Sequence, residues 1–418
     1  MYDIELLNRI TRIRTLHYRR DLDEIYLLAK STPSLTRHLP ELQEVINWFD
    51  GIFSTDIKHE ELTGFWFDFA NMVLQRYAVL FTTELSAADN LVRNFFHRFF
   101  MAPGLSQIKT SYRENVTPLV FLGRGGRKAY YTLPPTIHRP LAIIRLPRAA
   151  LNNVWRWTVL AHETGHDVFS SVGGLAREMD VLVASTVNQA AASGYLCLPP
   201  VNAVIEGNGA PVVLEMSPGQ FAVSLWSRWV NELFADLFSI LMCGPACVLT
   251  MQELLGFNSV GNWHGLQGPD AHPVPIFRNM INLRVLHRIG FISDAGLLER
   301  RMGCYVQSPS EIIWLHEEKV EVVRVNLVEM LKMADIVVDA MLHTPLQSLN
   351  NHSLRQIINF DAQDQVIVSQ MAMAVIGEAP VAVNAEARHL AAAAQIAFVE
   401  QPYQADDIHN NVLKLMSD

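Results

Sequence analysis

Apolar residues recur at three- and four-residue spacing along most of the chain, which predicts a mainly helical fold. Over residues 1–120 this pattern is punctuated by the turn-forming "STPS" and "APG". It includes "FWFDFANMVLQRYAVLF", where Asp68, Asn71 and Gln75 stand between apolar positions. The pattern then changes. "KAYYTL" (128–133) and "LAIIRL" (141–146) are short β-rich runs separated by "PPTIHRP", and they read as neighbouring strands of a small sheet.

Helical spacing returns from Asn152 through "NNVWRWTVLAHETGHDVFSS", with Gly173-Gly174 as the stop. The nearly uncharged stretch 181–214 reads as a short helix followed by a long loop. "SPGQFAVSLWSRWVNELFADLFSILMCGP" is punctuated at both ends. Ser217 stands as N-cap, Pro218 in the first turn, Gln220 at the capping-box position and Gly244-Pro245 at the stop. "LFSILMCGPACVLTM" (237–251) is short for a bilayer span and is interrupted by the Gly-Pro pair, so it reads as two buried helices. Beyond the loop "GFNSVGNWHGLQGPDAHPVP", helices are expected over 310–342 and in "NAEARHLAAAAQIAF".

The expected fold is mainly α (α+β): an N-terminal helical region over 1–120, a core with a small sheet over 121–300, and a C-terminal helical region over 301–418. The three are separate regions or parts of one compact unit.

Composition narrows the function mainly by exclusion. Half of the 418 residues are hydrophobic and 18% are charged, which is globular composition. The net charge of −9, with no basic run beyond a scatter ending at Arg19 and Arg20, makes nucleic acid an unexpected partner. Four cysteines are too few for a disulfide framework and read as reduced core residues. The opening "MYDIELLNRITRIRTLHYRR" lacks the apolar centre of a secretory signal, so a cytoplasmic location and no membrane span are expected. "GRGGR" leads into a strand, and no GK[ST] follows, so it reads as a tight turn rather than a phosphate loop.

The chemistry is concentrated in "HETGH". His162 and His166 lie one helical turn apart, so both imidazoles project from one face at a separation suited to two ligands of tetrahedral zinc. Glu163 then sits beside the metal as a candidate base. On the next punctuated helix, Glu232 and Asp236 are also four apart, among Leu233, Phe234 and Leu237.

Carboxylates in such apolar company need a counter-charge. Zinc on two neutral histidines would supply it for Glu232, the expected third ligand. Asp236 is expected to accept a hydrogen bond from the non-ligating nitrogen of a metal-bound histidine. The competing explanation is two core histidines, with the carboxylates paired to arginines such as Arg228.

"HETGH" followed on a later helix by "ELFAD" resembles the gluzincin metallopeptidases. With "AHP" at 271–273 it is similar in particular to the HtpX and CAAX-prenyl-protease group. The resemblance covers about residues 140–285. It implies a zincin-like core, zinc bound by His162, His166 and Glu232, catalysis by Glu163, and Asp236 supporting His162. A metzincin would instead need glycine at 169 and histidine at 172, where this chain has Phe169 and Val172.

The expected activity is endopeptidase hydrolysis of a polypeptide substrate by a zinc-activated water, with Glu163 as general base. The loop after the second helix offers His264, His272 and Arg278 for oxyanion or substrate contacts, His272 first. "LAIIRLP" is expected as an exposed edge strand on which an extended polypeptide pairs, the competing explanation being an internal strand of the sheet. The alternative is a helical interaction module with a structural zinc, its helical flanks binding a protein partner. A glutamate beside the metal argues against it, because a structural site has no use for a base.

Overall fold

The computed structural model describes residues 4–52, 69, 72–73, 75–77, 81–102, 105, 117–123, 130–135, 141–194, 201–205, 212–256, 265–267, 272–305, 311–316 and 319–417. Helices carry most of them, as the periodicity predicts. They are α1 (Ile4–Ser31), α2 (Leu39–Ile52), α3 (Thr82–Phe100), α4 (Val159–Ser171), α5 (Leu175–Ala192), α6 (Pro218–Cys243) and α7 (Pro245–Gly256). After these come α8 (Pro275–Ile289), α9 (Ile292–Tyr305), α10 (Leu327–His343), α11 (Ala362–Val375), α12 (Ala387–Glu400) and α13 (Ala405–Ser417). Among the described residues no helix is long and apolar enough to cross a membrane.

The sheet that positions the site is built from β1 (Leu119–Leu122), β2 (Tyr131–Leu133) and β3 (Ile143–Leu146), in the order β1-β3-β2. Strand β1 runs parallel to β3 and β2 antiparallel to it, so the two expected strand runs are indeed neighbours. The period-two alternation of strand side chains decides what each face covers. Leu119 and Ile143 join an N-terminal core with Leu22, Leu42 and Phe49. Their neighbours Val120 and Ile144 join the main core with α3, α4 and α6.

Strand β3 therefore lies in the middle of its sheet with all four residues buried, and the edge position expected for "LAIIRLP" is corrected: both of its hydrogen-bonding sides are occupied. Among the described residues β2 pairs only with β3.

The punctuation of α6 is as the sequence predicts. Ser217 and Gln220 form a reciprocal capping box, and Gly244 ends the helix at φ +60°. A side chain at Gly244 would also strike the Phe360 ring, whose nearest atom lies 2.3 Å from an added Cβ. Helix α7 follows immediately, so 237–251 is two buried helices with a break between them. Helix α12 buries Ala391–Ala394, and its Phe398 stacks on Trp155 at 4.1 Å, so the C-terminal helices share a core with the site helices.

Three expectations are corrected. Residues 311–316 and 319–326 are not helical but form the antiparallel strands β7 (Glu311–His316) and β8 (Lys319–Asn326), beside β6 (Gly265–Gln267). Helix α10 begins only at Leu327, capped by Asn326. The stretch read as a short helix and loop is an 18-residue helix, α5, followed by the antiparallel pair β4 (Val201–Ile205) and β5 (Val212–Met216). The helix expected from Asn152 starts as a 3-10 turn at 154–156 and becomes α-helical at Val159. Most of "FWFDFANMVLQRYAVLF", and "GRGGR" from Arg124 on, lie outside the described residues.

Candidate metal centre

Helix α4 buries Leu160, Ala161, Val168 and Phe169 in the main core, which turns His162, Glu163 and His166 toward the mouth of a cavity of about 540 Å³. Helix α6 crosses α4 closely enough that a Cβ added to Gly165 would lie 2.9 Å from the Ala235 backbone. The glycine inside "HETGH" is thus what lets the "ELFAD" helix approach. Glu232 and Asp236 flank Ala235 on that side, while Leu233, Phe234 and Leu237 fill the core as expected.

The side-chain atoms converge. His162 Nε2 and His166 Nε2 lie 3.0 Å apart, and Glu232 reaches both, with Oε2 3.5 Å from His162 and Oε1 3.4 Å from His166. Among the described residues, His162, His166 and Glu232 are the one group of three such donors able to hold a metal ion, with ligand atoms all within 4.8 Å of one another. Glu232 Oε2 is buried and makes no hydrogen bond of good geometry, although the Arg278 guanidinium lies 3.0 Å away as an ion-pair partner. Two imidazole nitrogens and one carboxylate oxygen form a donor set that suits zinc and leaves a coordination position free.

The outer nitrogens are also committed. Asp236 Oδ1 accepts from His162 Nδ1 at 2.9 Å, and Asn231 Oδ1 accepts from His166 Nδ1 at 3.0 Å. Each bond orients its ring so that Nε2 faces the other partners. The sequence reading missed Asn231, whose only signal is its place directly before Glu232. It also missed Thr132 of β2, whose Oγ1 lies 2.7 Å from Glu163 Oε2 and 2.8 Å from the Glu163 carbonyl oxygen.

The carboxylates do have an arginine partner, but it is Arg278 on α8 rather than the exposed Arg228. Its guanidinium donates to both oxygens of Asp236, at 2.6 and 2.7 Å, and lies 3.0 Å from Glu232 Oε2. Arg278 is buried and committed to these two carboxylates, which makes it a clamp on them rather than a free substrate contact. His272 reaches the same group: its Nε2 is 3.2 Å from Glu232 Oε1, with the side chain 55% exposed at the cavity. His264 lies outside the described residues.

Protonation follows from this packing. Burial alone would lower the pKa of His162, but hydrogen bonds to Asp236 and Glu232 outweigh it and push the imidazolium up to about 9. His166 goes the other way, lowered by burial and by the adjacent charge of His162. Burial would raise Glu232 and Asp236, yet Arg278 and His162 hold Glu232 well below the usual carboxylate range and Asp236 down to about 2.

No protein-family model, curated protein or solved structure matches the chain.

Proposed function

We propose that this chain is a zinc-dependent metallopeptidase of the gluzincin type, with a polypeptide as substrate. The observation that carries the reading is the convergence of His162, His166 and Glu232 on one point, with Glu163 lining the same cavity. The hydrogen bonds that orient both imidazoles, from His162 to Asp236 and from His166 to Asn231, further support the reading.

His162, His166 and Glu232 would hold the ion. When bound, zinc supplies Lewis acidity, which makes water a competent nucleophile near neutral pH. Glu163 accepts a proton from the attacking water at its carboxylate and delivers it to the amine nitrogen as the C–N bond breaks, so atoms and charge balance over one hydrolysis. Asp236 and Asn231 keep the two imidazoles oriented, and Arg278 keeps Glu232 and Asp236 charged and in place.

His272, exposed at the cavity, remains the first candidate donor to the developing oxyanion. Strand β2 contributes Tyr131 and Thr132 to the cavity wall, so it takes over from β3 as the strand beside which an extended substrate would lie. The buried, free thiols of Cys243 and Cys247 fit a cytoplasmic setting.

The test compares zinc-loaded wild type and Glu163→Gln on dye-quenched casein and on a quenched-peptide library. Wild type should cleave. The variant should keep its zinc and lose roughly 10²–10⁴-fold in rate. Zinc binding without cleavage by wild type would favour a structural zinc module with partner-binding flanks. Equal cleavage by Glu163→Gln would remove the assigned base.

A further inference from the structure

We infer that Thr132 is a positioning residue for Glu163: its hydroxyl ties down one oxygen of the carboxylate and leaves the other to face the cavity. The inference rests on the metallopeptidase reading. The contact crosses from the sheet to the helix, 2.7 Å from Oγ1 to Glu163 Oε2, and the same hydroxyl lies 2.8 Å from the Glu163 carbonyl oxygen.

A threonine hydroxyl has one proton and donates to one acceptor at a time. Inside a helix the Glu163 carbonyl already has the amide four residues on as its donor. The side-chain oxygen, buried and without a helical amide of its own, is the acceptor that needs the bond.

The position of the hydroxyl is set by the sheet. Thr132 stands opposite Ile144 in the β2–β3 ladder, and β3 is buried and paired on both sides. A β-branched residue in a strand has restricted χ1, so the hydroxyl has little freedom. Glu163, by contrast, has three side-chain torsions and two equivalent oxygens. Binding Oε2 to a fixed point removes the interchange and selects Oε1 as the atom that meets the water, and misplacement of a base by about an ångström costs up to roughly 100-fold.

Thr132→Val keeps shape and β-propensity but removes the donor, and Thr132→Ser keeps the donor. In the quenched-casein assay, kcat should fall roughly 10–100-fold in Thr132→Val with KM changed less than about twofold, and Thr132→Ser should recover most of it. A second readout uses metal-free protein without turnover: denaturant unfolding of Thr132→Val, Glu163→Ala and the double variant. Loss of the hydroxyl should lower the folding equilibrium constant roughly tenfold when Glu163 is present and by at most a few-fold when it is alanine.

Hydrolysis that requires Glu163 yet is indifferent to Thr132→Val overturns this inference alone. So does a Thr132→Ser variant as slow as Thr132→Val, or the absence of coupling in the unfolding cycle. Absence of any hydrolysis by wild type overturns the reading of the site and this inference with it.

Discussion

At the scale of single residues, a proton on His162 would compete directly with the proposed metal ion. The imidazolium pKa stands at about 9, and zinc needs the neutral ring, so affinity should rise about tenfold per pH unit from pH 7 to 8 and level off above 9. A competition titration with a zinc chelator at several pH values measures this, and a pH-independent affinity would contradict it. The same shift has the opposite sign for folding without metal. A raised histidine pKa adds stability fully present below the unfolded value near 6.5 and lost as pH climbs through about 9. His272 makes a separate prediction. As an exposed donor that touches Glu232, it should matter most in turnover: His272→Ala should cut kcat roughly 10²–10³-fold with little change in KM. A fall in zinc affinity with kcat unchanged would make it a support for Glu232 instead.

Among elements, the crossing of α4 and α6 carries the site, and Gly165 sets its distance. An alanine in a helix interior normally gains up to about 1 kcal/mol over glycine. Here its Cβ would sit 2.9 Å from the Ala235 backbone, so Gly165→Ala should instead cost about 1–3 kcal/mol in denaturant unfolding and weaken zinc binding as Glu232 retreats. A stabilised variant with full zinc affinity would show that the helices are not in fact this tightly opposed. The same two helices explain how much of the site could be read in advance. "HETGH" and "ELFAD" stood out because each places two polar groups one turn apart among apolar residues, a pattern local to one helix. Thr132 and the clamping role of Arg278, which the sequence offers only as a substrate contact, are not legible that way, since each reaches the site from an element 31 or more residues away in sequence. Residues 311–326 misled because their apolar positions run straight into those of α10. The density of valine and isoleucine in "EIIWLHEEKVEVVRVN" was the overlooked strand signal. "LAIIRLP" is legible as a strand from its own residues, but whether it is central depends on β1, which straddles the end of the stretch whose pattern predicts helices.

Across the whole molecule, the N-terminal core is fastened to the main core by buried charge. Arg76 donates to both oxygens of Asp89 at 2.9 and 2.8 Å and to the Met72 carbonyl, while His38 lies 3.2 Å from Asp89. Burial would raise the Asp89 pKa, but Arg76 and His38 outweigh it and hold the carboxyl below its ordinary range. A depressed carboxylate pKa adds stability that is present above the unfolded value near 3.9 and lost as pH falls through the folded one. Asp89→Asn leaves Arg76 buried without its counter-charge and should cost about 3–5 kcal/mol near neutral pH, with the gap to wild type narrowing below about pH 4 in thermal unfolding. A variant as stable as wild type at pH 7 would mean that this network contributes little to holding the two cores together. The account as a whole depends on the metal centre, and the most direct test is the zinc content of purified wild type, Glu163→Gln, His166→Ala, Glu232→Ala and Asp236→Ala after dialysis against a fixed free-zinc buffer. One zinc per chain is expected in wild type and Glu163→Gln. It should be lost in His166→Ala and Glu232→Ala, and Asp236→Ala should show a weaker site, down roughly 10–100-fold in affinity. Wild type without zinc, or Glu232→Ala holding zinc as tightly as wild type, would contradict the account.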